Sequence, residues 1–329
     1  MQFHLYRLAF LAIEQVVKHL DPREIYNLSK CSKRSFRIIN SLVKNQKCSL
    51  DLRVGKTLKL DVHHNCGMEF QYCHLSKLED MPGTFNQHFS SPEDVFGRSI
   101  SLSYWENPYE AFKEFYNHMR CLYEKPINHL IYVVKPGAMC YDLLEQINQN
   151  QPFIERATVT FMKTVEEEMV TALNMLSAVR NMTWGPFIIR DGQFRNVIQK
   201  FEYDNLTIGA GGVWLGIKHI LNMDCRTIRI ACQHTLNQAH LTEYLKAWIT
   251  GAAPKLEHFI LIFENLNLSI VLREIEFQKV DTNDTFTETK GPYIIQRKHD
   301  GRRAKVFGAI SKGWHCTTYY DSFEISVLE

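Results

Sequence analysis

Five side chains that could bind a metal lie close together between residues 63 and 74. In the stretch TLKLDVHHNCGMEFQYC and directly after it they are His63, His64, Cys66, Cys73 and His74. Neighbouring side chains of a β-strand point to opposite faces, so His63 and His64 diverge if this segment is extended. No pair has the short spacing typical of zinc fingers. We therefore predict a β-hairpin, with strands near 57–63 and 68–73, and no metal ligand.

Glycines between a strand and a helix suggest a second kind of site, a phosphate-binding loop. The stretch IGAGGVWLGIKHI contains Gly209, Gly211 and Gly212, but Trp214 stands where a dinucleotide loop requires a further glycine. No Lys-Ser or Lys-Thr pair follows for a nucleotide loop. The sequence also lacks HExxH, Gly-x-Ser-x-Gly and kinase signatures. We predict a tight turn here, no catalytic residue, no cofactor, and a protein that is not an enzyme.

The charge of the chain is unevenly distributed. The 329 residues carry a formal net charge of only +2, which gives no reason to expect a nucleic-acid or membrane partner for the whole molecule. Residues 1–50, however, contain nine Lys or Arg against three Asp or Glu, which is +6, so the remaining residues sum to −4. The front of the chain is a basic module.

The cysteines and the apolar runs indicate the cellular compartment in which the protein is found. The nine cysteines form no CxxC pair and no regular spacing, which favours a reducing environment. The apolar run from Leu8 to Ile13 is shorter than the core of a signal peptide, and no run approaches a membrane span. We therefore expect an intracellular protein, cytoplasmic or nuclear, without a membrane partner.

Periodicity predicts three helices in the first fifty residues. Asp21, Pro22 and Glu24 form a capping-box pattern, which indicates that a second helix begins directly after the first. A third helix follows and carries apolar residues on more than one face. The apolar residues at helical spacing are Phe10, Ile13, Val16, Val17 and Leu20 in the first helix, Ile25, Leu28 and Cys31 in the second, and Phe36, Ile38, Ile39, Leu42 and Val43 in the third.

Three short helices are too small to enclose this much apolar surface. Either the surplus packs on the rest of the chain, or it docks on another protein. A further alternative is a basic module that binds nucleic acid through phosphate contacts. The cations for that alternative are Lys30, Lys33, Arg34, Arg37, Lys44 and Lys47.

The stretch LDPREIYNLSKCSKRSFRII, with the Leu8-Ala9 pair before it, resembles the F-box of the large nematode-type families. The F-box is the helical module that ties a substrate receptor to the Skp adaptor of SCF ubiquitin ligases and, through that adaptor, to a cullin and a ring-finger subunit. The family usually begins Leu-Pro, and Ala9 replaces that proline. By the resemblance, the adaptor-facing residues are Leu8, Ala9, Ile13, Val16, Val17, Leu20, Ile25 and Leu28, with Lys33 and Arg34 at the rim.

Beyond residue 125, β-rich runs recur every 20 to 30 residues, with helical stretches between most of them. This spacing predicts a leucine-rich-repeat-like solenoid, although the leucine consensus itself is absent. A doubly wound sheet is the alternative, since it also alternates strands and helices. The runs are HLIYVV from His129, ATVTFM from Ala157, MTWGPFII from Met182, NLTI from Asn205, TIRIA from Thr227 and EHFILIF from Glu257.

Two later stretches resemble the type-two F-box-associated domain that follows the F-box in the same families. In LTEYLKAWITGAAPKLEHFILIF, an apolar helix with Trp248 in its buried face ends at Gly251, and Pro254 prevents its continuation. IIQRKHDGRRAKVFGAI is similar to that domain's closing antiparallel hairpin, with the turn at His299-Asp300-Gly301. The resemblance implies a domain that binds an unknown protein substrate.

These observations predict an α/β protein with three parts: a three-helix F-box at 1–48, a hairpin and linker region at 49–124, and an F-box-associated, substrate-binding domain at 125–329. Residues 81–108 are the expected linker, and a helix at 109–124 opens the last part. The function implied is the substrate-recognition subunit of an SCF-type ubiquitin ligase. The alternatives are the basic nucleic-acid-binding module and an F-box scaffold without a role in ubiquitination.

Overall fold

A computed structural model of the chain forms two compact units. The first unit takes described residues up to 131 together with 142–154, and the second takes 132–141 together with residues from 155 onward. The structure describes residues 8–20, 22–55, 58–64, 69–77, 88–91, 100–105, 107–134, 140–162, 166–185, 200–209, 215–231, 236–263, 266–280, 291–312 and 319–328.

The fold is mixed α/β. The helices are α1 (Phe10–His19), α2 (Pro22–Lys30), α3 (Lys33–Val43), α4 (Pro108–Tyr123), α5 (Tyr141–Asn150), α6 (Glu166–Met175), α7 (Ile217–Leu221), α8 (Gln238–Ile249) and α9 (Leu268–Val271). The strands are β1 (Cys48–Val54), β2 (Lys59–His64), β3 (Glu69–Lys77), β4 (His88–Ser91), β5 (Ile100–Trp105), β6 (Ile127–Val134), β7 (Ile154–Phe161), β8 (Val179–Trp184), β9 (Asn205–Ile208), β10 (Thr227–Ile230), β11 (His258–Phe263), β12 (Gln278–Lys279), β13 (Tyr293–Gln296), β14 (Arg303–Lys312) and β15 (Tyr319–Leu328).

The N-terminal helices lie where periodicity predicts them. The Ser32 side chain accepts a hydrogen bond from the Ser35 backbone N–H at 3.0 Å and so caps the start of α3. The side chain of Asp21, the predicted cap of α2, lies outside the described residues. Among the described residues, no helix has the length and apolar character needed to cross a membrane.

The predicted hairpin near residues 57–73 is confirmed, because β2 and β3 pair antiparallel. Two other predictions for the first unit are wrong. The expected linker at 81–108 contains the strands β4 and β5. Both strands are short, and the prolines and glycines in the surrounding sequence favour a loop prediction. The helix predicted at 109–124 is confirmed as α4, but it lies in the first unit, where it packs on α3, and does not open the last part.

In the second unit, strands β7 to β11 lie side by side in sequence order. The pairs β8/β9, β9/β10 and β10/β11 are parallel. Burial alternates along them, which places residues such as Leu206, Ile228 and Phe259 in the core. A doubly wound sheet reverses its strand order at a switch point, and this run of strands does not reverse.

The C-terminal part of the second unit is antiparallel. Strands β13 and β14 form the predicted hairpin, with residues 298–300 at its turn. Strand β15, which the sequence analysis did not predict, pairs antiparallel with both β14 and β11. It therefore joins the hairpin to the parallel strands.

Arg297 anchors this hairpin to the end of α8. Its side chain is 1% exposed, and its guanidinium carbon lies 4.6 Å from the centre of the Trp248 ring. The guanidinium donates hydrogen bonds to the carbonyl oxygens of Ala252 at 3.3 Å and Ala253 at 3.2 Å, and it pairs with Asp300 at 3.3 Å. Trp248 is fully buried, as predicted for a core residue.

We expect Arg297→Met to destabilise the second unit by about 2 to 3 kcal/mol, because it removes the guanidinium that donates to two carbonyl oxygens and pairs with the Asp300 carboxylate. The shift of the urea midpoint measures this loss. Arg303→Met, which truncates an exposed arginine six residues away, is the matched control and should change stability by about 0.5 kcal/mol or less. Equal midpoints for the two variants would contradict the anchoring role.

Candidate functional site

The three N-terminal helices share a small core. Ile13 is 4% exposed, Val17 1% and Ile25 2%, and α3 contributes the fully buried Ile39 and Val43. The resemblance places Ile13, Val17 and Ile25 on a partner-facing surface, whereas the structure shows these side chains buried within the chain. Helix α1 contacts α3, so these side chains are covered by the chain itself.

The N-terminal end of α1 carries exposed apolar side chains. Leu8 is 36% exposed, Phe10 54% and Leu11 72%. Ala9, at the N-cap position, is also exposed. Of the remaining predicted residues, Val16, Leu20 and Leu28 are half-buried. The available surface is therefore the end and outer side of α1 rather than its stripe of periodic residues.

Phe10 and Leu11 were not among the predicted site residues. One signal for Leu11 was present in the sequence, because an α-helix turns about 100° per residue and this puts Leu11 about 160° away from Ile13. A leucine on the side of the helix that faces away from the core does not contribute to packing of the core. Phe10 lies on the same side of α1 as Val17, so periodicity predicts that Phe10 belongs to the core. Phe10 is exposed because it lies at the very start of the helix.

Helix α4 covers the other side of the N-terminal helices. The Tyr26 ring packs edge-on against Phe115, with centroids 4.8 Å apart, and the His118 ring contacts both Tyr26 and Phe36 at 5.0 and 5.3 Å. The Asn40 side-chain amide donates to the Leu122 carbonyl oxygen at 2.8 Å, near the end of α4. Much of the surplus apolar surface of α2 and α3 is thus buried within the first unit.

Part of the basic charge of this module is already paired with α4 and the residue that follows it. Lys30 forms an ion pair with Glu114, and Lys44 lies 3.9 Å from Glu124. Lys33, Arg34 and Arg37 are exposed. Two of the six cations considered for phosphate binding therefore face carboxylates, which reduces the positive field available to a nucleic acid.

A histidine at the α2–α4 contact stays neutral. The Ser29 hydroxyl donates to the Tyr26 carbonyl oxygen at 2.7 Å, and His118 Nε2 lies 2.6 Å from the same hydroxyl oxygen. Because the only hydroxyl proton goes to Tyr26, His118 Nε2 acts as the donor. Burial and the charge of Lys30 lower the pKa of His118 to about 4, while Glu114 opposes the shift.

The other candidate sites take no part in this surface. His63 Nε2 contacts Asp51 Oδ2 at 3.2 Å, and within the described part of the chain no group of three side chains could hold a metal. Gly209 donates its backbone N–H to the Trp184 carbonyl oxygen at 2.9 Å, while Gly211 and Gly212 lie outside the described residues. The side chains of His64, Cys66, Cys73 and His74 also lie outside them.

Comparison with known families gives two matches. The family model described as F-box domain matches residues 5–47, which span α1 to α3. The family model described as F-box associated matches residues 193–261, which span β9 to most of β11. The closing hairpin follows the second match. A search of curated proteins and a search of solved structures gave no match. Neither matched family is a catalytic one.

We expect the first unit to lose stability as the pH falls from about 6.5, the ordinary histidine pKa, toward 4. The unfolded chain binds a proton at residue 118 in this range, whereas the folded chain keeps His118 neutral. Allowing for half-burial, the loss attributable to His118 is about 1 to 2 kcal/mol. His118→Gln, which retains a donor but does not titrate, should remove it, as measured by urea unfolding at several pH values.

The matched control is His19→Gln, since His19 is exposed on α1. The pH dependence of this variant should equal that of the wild type. If His118→Gln left the pH dependence unchanged, the neutral histidine would not be the cause.

Proposed function

Because the chain carries an F-box domain ahead of an F-box associated domain, we propose that it is the substrate-recognition subunit of an SCF-type ubiquitin ligase. The F-box docks on the Skp adaptor and, through it, reaches a cullin and a ring-finger subunit. The second unit holds a protein target. The compartment is intracellular, cytoplasmic or nuclear, where such ligases work.

One observation carries the adaptor assignment: three large apolar side chains remain exposed at the end of α1 while α4 covers the other side of the module. We assign Leu8, Phe10 and Leu11 to the centre of the adaptor surface. The half-buried Val16, Leu20 and Leu28 extend it. Exposed aromatic and leucine side chains on a helix are suited to a groove in another protein.

The chain itself catalyses nothing in this scheme. It binds the adaptor and the target at the same time, so that the target meets the ubiquitin-conjugating enzyme at a high effective concentration. Two binding surfaces are therefore sufficient for the function, and no nucleophile or cofactor is needed.

The second unit has features of a repeat-like binding domain. Its parallel strands follow one another in sequence order, as stacked strand–helix repeats require. We infer a leucine-rich-repeat-like arrangement, closed by the antiparallel strands β13 to β15. In such an arrangement each repeat contributes one strand to a continuous face, and that face is available to a partner.

We expect Leu11→Asp to reduce co-purification of the Skp adaptor at least tenfold, because it puts a charge into an apolar contact. Quantitative pull-down from cells that express the full chain measures this. Ile270→Asp, at a residue of the second unit that is 44% exposed, is the matched control and should bind the adaptor normally. Wild-type binding should persist in a few hundred millimolar salt, whereas binding to nucleic acid would not.

Ile13→Asp should behave differently from Leu11→Asp, since Ile13 belongs to the core of the module. We expect it to destabilise the first unit by about 3 kcal/mol or more, and to lose adaptor binding only for that reason. Urea unfolding of both variants separates the two effects. Normal stability of Ile13→Asp together with lost binding would overturn this division of the residues.

A substitution at Ala9 tests the adaptor surface by strengthening the binding, whereas the substitutions above weaken it. Its φ of −58° lies within the range that a proline ring imposes, so the backbone of Ala9 suits the proline usual in the family. We expect Ala9→Pro to strengthen adaptor binding about two- to fivefold by ordering the entry to α1 in the free chain. Titration of the adaptor against both forms measures the difference, and weaker binding of Ala9→Pro would contradict it.

A further inference from the structure

One face of the second unit's sheet is not part of the core. Along β8 to β11, alternate residues such as Met182, Leu206, Ile228 and Phe259 are buried, while their neighbours on the opposite face remain half-buried or exposed. The strand register aligns four of these neighbours with one residue each of β15 and β14 across the sheet. This polar row consists of Asn181, Asn205, Thr227, His258, Ser326 and Lys305.

The polar row is held in place by contacts between its own members. Asn205 donates a side-chain hydrogen bond to Asn181, which itself donates to the Glu155 carbonyl oxygen at 2.8 Å. His258 Nδ1 lies 3.4 Å from the Ser326 hydroxyl. The row therefore presents an ordered line of amide, hydroxyl and imidazole groups, which can hydrogen-bond to an extended peptide.

Lysine and arginine side chains are concentrated where the polar row reaches the hairpin. Residues 296–305 contain five Lys or Arg and one Asp, so this segment is +4 within a part of the chain that sums to −4. Two of these cations have structural roles: Arg297 anchors the hairpin, and Arg302 donates to the Pro254 carbonyl oxygen at 2.7 Å. Among the described residues, Lys298, Arg303 and Lys305 are exposed and have no carboxylate partner.

A purely structural explanation does not account for these cations. Exposed lysines often protect the edge strand of a sheet from pairing with other chains. Arg303 and Lys305, however, lie on β14, which is paired on both sides, with β13 and β15. They do not protect an edge, and no neighbouring carboxylate neutralises them.

An open cleft of about 530 Å³ lies beside Arg303. Its lining includes Arg226, His258, Arg302 and Arg303, with Val327 and Leu328 as apolar members. Its acidic members are occupied, because Glu257 accepts from Arg226 at 2.8 and 3.0 Å and Asp300 pairs with Arg297. A second cleft, of about 690 Å³, is lined by Lys298 and by Lys246, which pairs with Glu274, and it also contains the carboxylate of Glu276.

We propose that the polar row and its basic end, formed by Arg303, Lys305 and the cleft beside Arg303, bind an acidic extended segment of the target protein. The proposal rests on the function proposed above and names its substrate class. Carboxylates or phosphates of the segment pair with the unpartnered cations, and its backbone follows the amide and hydroxyl groups of the row.

The test uses the purified full chain and fluorescein-labelled twelve-residue peptides in an anisotropy titration. The peptides alternate Ser with Glu, Ser with Gln, or phosphoserine with Gln. We expect one or both acidic peptides to bind at least tenfold more tightly than the Ser-Gln peptide, and the better one identifies carboxylate or phosphate as the recognised group. Binding should weaken as salt rises, because charge pairs carry the contact.

The key variant is the double substitution Arg303→Glu and Lys305→Glu, which should weaken acidic-peptide binding at least tenfold. The matched control makes the same change of charge at Lys33 and Arg34 on α3, and it should weaken binding less than twofold. Equal losses in both double variants would show a general effect of net charge and overturn the proposal. So would failure of both acidic peptides to exceed the Ser-Gln peptide.

Two further measurements complete the test. A labelled twelve-nucleotide single-stranded DNA should bind less tightly than the better peptide; tighter binding of DNA would replace the proposed partner with a nucleic acid. Adaptor pull-down of the Arg303→Glu and Lys305→Glu variant should be normal. Because the anisotropy assay contains no adaptor, failure of peptide binding and failure of the ligase assignment are observed separately.

Discussion

The N-terminal module is limited by its size, because about forty residues in three short helices cannot bury all of their apolar side chains. Helix α4 resolves part of this deficit by packing Phe115 and His118 against α2 and α3. The end of α1 receives no such cover, and Phe10 and Leu11 remain exposed there. The position of α4 thus decides which surface of the module is free for a partner.

In the second unit, one face of the sheet stays accessible while the other face forms the core. Strict alternation of side chains along the parallel strands separates the two faces, and the register aligns the polar row. Strand β15 joins the hairpin to the row, while the buried Arg297 fixes the hairpin against α8. The exposed cations of β14 therefore project from a rigid support.

One titratable side chain in each unit is held inside the protein, His118 in its neutral form and Arg297 in its charged form. At the α2–α4 contact, burial lowers the pKa of His118 and so favours its neutral form. Arg297 stays a donor inside the second unit because aromatic, carbonyl and carboxylate groups surround it. Neither residue is free to meet a partner. The surfaces proposed for binding include side chains that internal packing leaves exposed, such as Leu11 and Arg303.

Local sequence signals determined the three N-terminal helices, α8 with its end at Gly251, the β-rich runs and the closing hairpin, because periodicity and turn residues act over a few positions. They did not reveal β4 and β5, which lie among prolines and glycines, or β15, which pairs with β11 far earlier in the chain. The division of α1 into buried Ile13 and Val17 and exposed Phe10 and Leu11 also depended on tertiary structure. Burial is set by which elements pack together, and the contact of α1 with α3 decides it here.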